Sequence, residues 1–106
     1  MSEYIIALTT CPPDIANKLA RTLVESAICA CVNIIPAVSS VYHWKDKIVE
    51  DKESILLIKT TSGQQERLWE VIKKEHPYDV PEYIVLPIKW GSQDYLDWIS
   101  KNIKSQ

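Results

Sequence analysis

Cys31-Val32-Asn33-Ile34-Ile35-Pro36-Ala37-Val38-Ser39-Ser40-Val41-Tyr42-His43-Trp44 is rich in β-branched and aromatic residues, the composition of a pleated strand. Pro36 interrupts it where a bulge or an edge position tolerates a residue without an N–H. Lys45-Asp46-Lys47 then reads as a polar turn, and Ile48 to Thr61 returns, charged through Glu50-Asp51-Lys52-Glu53 and apolar from Ile55 to Ile58. The two runs predict one long, bent hairpin. Its tip and charged middle have no helix to lie under, so part of it is expected to project beyond the domain.

The flanks decide what the hairpin joins. Tyr4 to Thr10 reads as a strand that is continuously apolar from Tyr4 to Leu8, a pattern that asks for burial on both faces. Pro12-Pro13-Asp14 suits a first helical turn, where proline's missing N–H costs nothing and a carboxylate meets the positive end of the dipole. The helix runs to about Ser26, with Ile15, Leu19 and Leu23 on one side and Asn17, Lys18, Arg21 and Glu25 off it. After the hairpin, Ser62-Gly63-Gln64-Gln65 has the form of a capping box, and Leu68, Val71 and Ile72 supply the stripe of a second helix ending near Glu75. His76-Pro77-Tyr78-Asp79-Val80-Pro81 is a stiff connection, because each proline pushes the residue before it out of the helical region. Glu82 to Ile88 reads as the last strand. Ser92 then caps a short helix with Tyr95, Leu96, Ile99 and Ile103 on its buried side.

The order is βαββαβ plus a terminal helix. Right-handed crossovers place both main helices on one face of a single antiparallel sheet, the ferredoxin-like α+β plan. The opposite face is left bare although the first and last strands are apolar on both sides. Self-association is the economical cover, and periodicity alone does not choose between two and three copies.

Composition narrows the function. The 106 residues, 46% apolar and 25% charged, fit one domain over 1–106. A net charge of −2 without a basic stripe argues against nucleic acid, and two glycines, Gly63 and Gly91, leave no phosphate-cradling loop. No apolar stretch reaches membrane-spanning length and Met1-Ser2-Glu3-Tyr4-Ile5 carries no basic leader, which reads as cytoplasmic. Cys11, Cys29 and Cys31 are odd in number and match no zinc or thioredoxin spacing, so reduced thiols are expected. If extended, Cys29 and Cys31 share a face as small apolar residues.

Several motifs run in one order along nearly the whole chain: Thr9-Thr10-Cys11-Pro12, Ala30-Cys31-Val32-Asn33-Ile34-Ile35-Pro36, Tyr42-x-Trp44-x-x-Lys47, Leu57-Ile58-Lys59-Thr60, His76-Pro77-Tyr78-x-Val80-Pro81-Glu82 and Tyr95-Leu96-x-Trp98. Their combination resembles the CutA family, the divalent-cation tolerance proteins. The resemblance implies a ferredoxin-like subunit in a homotrimer, with hairpin strands pairing between subunits, a link to copper and other divalent cations, and no accepted enzymatic reaction. It also implies candidate ligands. The family's bacterial prototype has one cysteine and two adjacent histidines proposed for copper; here His76 fits the second histidine, Glu75 stands at the first, and Thr10 stands at the cysteine with Cys11 one place on.

His76 with Cys11 offers an imidazole and a thiolate, a soft pair suited to Cu(I) or Zn(II), with Glu75, Asp79 or Glu82 as oxygen donors. The alternative is that His76 closes a helix and its ring pairs with a carbonyl. His43 reads as solvent-exposed or an inter-subunit contact. Trp44, Trp69, Trp90 and Trp98 read as core and interface packing, and Lys59, Glu82 and Tyr83 are candidates to converge with Trp44 in a cleft between subunits. A second reading is similar to the PII regulators, a trimeric scaffold holding a small anionic metabolite at the subunit interface. An enzyme with Cys11 as nucleophile and His76 as base is not expected, because no orienting motif or oxyanion loop accompanies the pair.

Overall fold

The computed structural model describes residues 3–104, so Met1 and Ser2 of the leader reading and the last two residues of the 1–106 domain lie outside it. Strands β1 (Tyr4–Cys11), β2 (Cys31–Trp44), β3 (Lys47–Thr61) and β4 (Tyr83–Pro87) alternate with helices α1 (Pro13–Glu25) and α2 (Gln65–Glu75), and α3 (Gln93–Lys101) closes the chain. All strand pairs are antiparallel, in the order β2-β3-β1-β4. This is the ferredoxin-like α+β sheet that the element order predicts.

Register sorts the side chains by face. Ala7 pairs with Ile58 and Val85, and these point to the helices; Leu8 pairs with Leu57 and Ile84, and these point away. On the helix side Ala7, Cys11, Leu56 and Ile58 join Ala16, Leu19 and Leu23 of α1 and Leu68 and Ile72 of α2 in one core. Each leucine buried there contributes about 1.5–3 kcal/mol. On the far side Ile6, Leu8, Ile55 and Leu57 are only half-buried, and Ile35, Ile84 and Leu86 are 39%, 48% and 47% exposed. The bare apolar face expected from the sequence is present.

It is not wholly bare. Tyr4 and Cys31 belong to the far face by register, and they meet α3: Tyr4 Oη lies 2.7 Å from Ser100 Oγ, and Cys31 lies beside the Tyr95 phenol. The third helix therefore covers one end of the open face. Of its expected apolar side only Ile99 is buried, while Leu96 and Ile103 are partly exposed and Tyr95 is 42% exposed.

The hairpin bends where Pro36 falls. Register shifts between Ile35 and Val38, so Pro36 and Ala37 oppose the single residue Ser54, whose hydroxyl donates to the Pro36 carbonyl at 2.8 Å. Beyond the bulge, residues 41–48 are all exposed, and the long axis of 44 Å is nearly twice either other dimension. The turn closes with Lys45 and Asp46 at φ 50° and 64°, the left-handed pair of a type I′ hairpin.

Two caps differ from expectation. Ser62–Gln64 forms a 3-10 turn in which no capping side-chain bond is made; the Ser62 N–H donates instead to the Glu3 carbonyl at 2.8 Å. That pairing with the chain entering β1 takes over the stop signal. Ser92 is the N-cap of α3, but through its backbone carbonyl, which accepts from the Leu96 N–H, and without a side-chain bond. Cys29 precedes β2 and sinks into the core, whereas Cys31 faces α3, so the alternation that would put both on one face does not apply; both thiols are free.

Candidate functional site

The ends of β1 and α2 meet at His76. Pro77 denies His76 a helical conformation, so it takes φ −84°, ψ 135° and becomes the C-cap of α2, its N–H donating to the Ile72 carbonyl. The residue is 7% exposed. Nε2 lies 2.7 Å from the Thr10 carbonyl, and the Tyr78 N–H donates to Nδ1 at 3.1 Å. A carbonyl only accepts and a backbone N–H only donates, so the proton sits on Nε2 and the Nδ1 lone pair is used. Both ring nitrogens are occupied by main chain, as in the helix-closing alternative.

The other two expected ligands are placed differently. Cys11 ends β1, is fully buried in the core, and burial, then the charges of Glu53 and Asp14, pushes its thiol up to about 11. It is a neutral thiol near pH 7, not a ready thiolate. Glu75 is exposed at the last turn of α2, and Asp79 and Glu82 are exposed as well, the Glu82 carbonyl accepting from the Thr9 hydroxyl at 2.6 Å. Among the described residues no three His, Cys, Asp or Glu side chains gather as an ion's ligand set. As it stands, the His76 corner is a hydrogen-bonded joint; to ligate copper the ring must give up a main-chain bond and Cys11 a proton.

What the joint positions is the next segment. Tyr78 packs its ring on His76, centroids 4.6 Å apart, and donates its hydroxyl to Glu53 at 3.1 Å. On the facing hairpin the Tyr42 hydroxyl makes a short hydrogen bond to Asp51. Tyr42 and Trp44 on one side, and Pro77, Tyr78, Asp79 and Val80 on the other, enclose a cleft of about 320 Å³. Burial and then the bond to Glu53 push the Tyr78 phenol up to about 12.

Glu53 corrects the charged-middle reading of the hairpin. It is only 5% exposed, and its register puts it in line with Ile55 and Leu57 on the far face. An acid in phase with that apolar run was the available signal. The expected convergence of Lys59, Tyr83, Glu82 and Trp44 does not occur within one chain: Lys59 pairs with Ile6 on the far face, while Tyr83 stacks on Trp69 at 5.4 Å on the helix side. The tryptophans form no common platform, since Trp98 stacks on Tyr95 at 5.6 Å and Trp90 stands 83% exposed. His43 is exposed near the hairpin tip.

A sheet with helices on one face and the other face open, a hairpin reaching past the domain, and a cleft between that hairpin and the Pro77–Val80 connection define a ferredoxin-like subunit with an extended hairpin. Residues 5–102 match the family described as "CutA1 divalent ion tolerance protein". The chain belongs to that family. The "Divalent-cation tolerance protein CutA" of Thermus thermophilus is 43% identical over 100 residues, 94% of this chain and 97% of that one. The crystal structure of CutA1 from Oryza sativa superposes with a TM-score of 0.95 at 38% identity, covering 99% of this chain and 97% of that chain. A structure described as "PII-like protein CutA from Nostoc sp. PCC 7120 in apo form" gives a TM-score of 0.90 at 35% identity, over 94% and 97%.

Proposed function

We propose that this chain works as a cytoplasmic homotrimer in tolerance of divalent cations, copper among them, and that the trimer rather than an ion held by His76, Cys11 and Glu75 is its working form. The observation that carries this is the far face of the sheet. Ile35, Ile84 and Leu86 are exposed side by side with half-buried Ile6, Leu8 and Leu57, an apolar surface a monomer rarely leaves to water. Both sheet edges, β2 and β4, also keep one side unpaired within the chain, which suits strand pairing between copies. The family supplies the tie to cations. Against a resident ion stand the two occupied nitrogens of His76 and the neutral thiol of Cys11.

The test is in cells that depend on this chain for growth in copper. Leu86→Lys, which breaks the open face, should abolish tolerance, whereas Glu75→Gln should leave it intact. Loss of tolerance in Glu75→Gln with the trimer preserved would restore the ligand reading.

The cleft favours a second reading, in which the trimer holds a small ligand as PII-like proteins do. Its volume is that of a small-molecule site. A ligand that raises the melting temperature without metal would support it.

A further inference from the structure

The cleft between hairpin and connection has a definite chemistry. Three aromatic rings, Tyr42, Trp44 and Tyr78, line it, and Trp44 is 45% exposed there with no partner ring among the described residues. Behind the rings both phenols are spent as donors, Tyr42 to Asp51 and Tyr78 to Glu53. What their oxygens still offer a ligand is lone pairs, and the carboxylate behind each makes that oxygen more negative. Asp79 adds a third carboxylate to the wall.

The charge is not balanced within the chain. Glu53 is almost fully buried, and such a carboxylate ordinarily has a cationic partner. Among the described residues the ion pairs are Arg21 with Glu25 and Lys73 with Glu70, so no lysine or arginine stands within 4.0 Å of the acid oxygens of Asp51, Glu53 or Asp79. Lys52, the nearest base in sequence, is bonded to Ser39. Lys47 stands opposite Trp44 in the ladder, exposed at the hairpin's end, where water screens it.

Aromatic faces attract cations, and they do so best where uncompensated negative charge lies behind them. We infer that the cleft binds a small organic cation, an alkylated ammonium group seated against Tyr42, Trp44 and Tyr78. An anionic metabolite is disfavoured by the same three carboxylates. His76 is then a positioning residue: its bond from the Tyr78 N–H holds the ring that closes the cleft. A free metabolite is the occupant, because the cleft, about 320 Å³ between the hairpin and the Pro77–Val80 connection, is of small-molecule size. The inference rests on the second reading in needing the cleft open to solvent in the assembled protein.

The experiment is calorimetric titration of the full chain with tetramethylammonium chloride at constant ionic strength, beside uncharged tert-butanol and sodium acetate. Tetramethylammonium should bind at least tenfold more tightly than tert-butanol, and Trp44→Leu should weaken it at least tenfold. Glu53→Gln, which keeps the shape and removes the charge, should weaken it several-fold. Equal binding of tert-butanol, or no effect of Trp44→Leu, overturns the inference. Acetate bound in preference, and lost in Trp44→Leu, overturns it while leaving a ligand-binding cleft. Binding of none of the three overturns both.

Discussion

The imidazole Nε2 of His76 lies 2.7 Å from the carbonyl oxygen of Thr10, sixty-six residues away in the chain, and so ties the end of α2 to the end of β1. With the Tyr78 N–H on Nδ1, one ring fixes the angle at which the Pro77–Pro81 connection leaves the helix. The joint explains why a histidine can stand before that proline without any ion to hold.

Replacing His76 by Ala strands the Thr10 carbonyl and the Tyr78 N–H, and an unsatisfied buried polar group costs about 1–3 kcal/mol each. The expected loss is about 2–4 kcal/mol, read as a lower midpoint in urea with an unchanged slope. A loss below 0.5 kcal/mol would show that the ring carries no structural load.

Ala27 follows the C-cap of α1 at φ 57°, and its carbonyl accepts from the Lys104 N–H at 2.9 Å. A left-handed residue with a Cβ is strained where glycine is not. Ala27→Gly should stabilise by about 1 kcal/mol, seen as a rise in melting temperature. Asp46→Gly in the type I′ turn should act in the same direction on the hairpin.

Burial pushes the Cys11 thiol up to about 11 and the Cys29 thiol up to about 12, while Cys31 is half-buried. At pH 8 a thiol-specific disulfide reagent should label Cys31 first, with Cys11 and Cys29 following only as the protein unfolds. Rapid labelling of three thiols in the native protein would contradict this packing.

Tyr78 is raised to about 12 by burial and then by its bond to Glu53. A phenol whose folded pKa exceeds its unfolded value of about 10 favours the fold while protonated. Its contribution is fully present below pH 10 and is lost as pH rises from 10 towards 12. Titration followed by phenolate absorbance should show a late phase that moves down in Glu53→Gln.

Much of this architecture is legible in residue order. The continuous apolar run Tyr4 to Leu8 foretells a strand with apolar side chains on both faces of the sheet, and Pro36 marks the bulge, because backbone sterics and alternation are local properties. The capping box at Ser62 misleads because a tertiary partner, the Glu3 carbonyl, takes the N–H that a local cap would have used. Glu53 is legible only by counting back in twos from Leu57 and Ile55 along β3; what the run Glu50-Asp51-Lys52-Glu53 hides is its burial, since its partner Tyr78 lies on a distant connection. Likewise His76 reads as ligand or as joint in sequence; the Thr10 carbonyl that takes up its Nε2 lies on β1, sixty-six residues away.

Native mass spectrometry of the reduced full chain with limiting copper, run beside His76→Gln, tests the central claim most directly. Both proteins should be trimers, with no copper in the wild type beyond what the variant holds. A monomer, or one copper per chain lost on replacing His76, would contradict it.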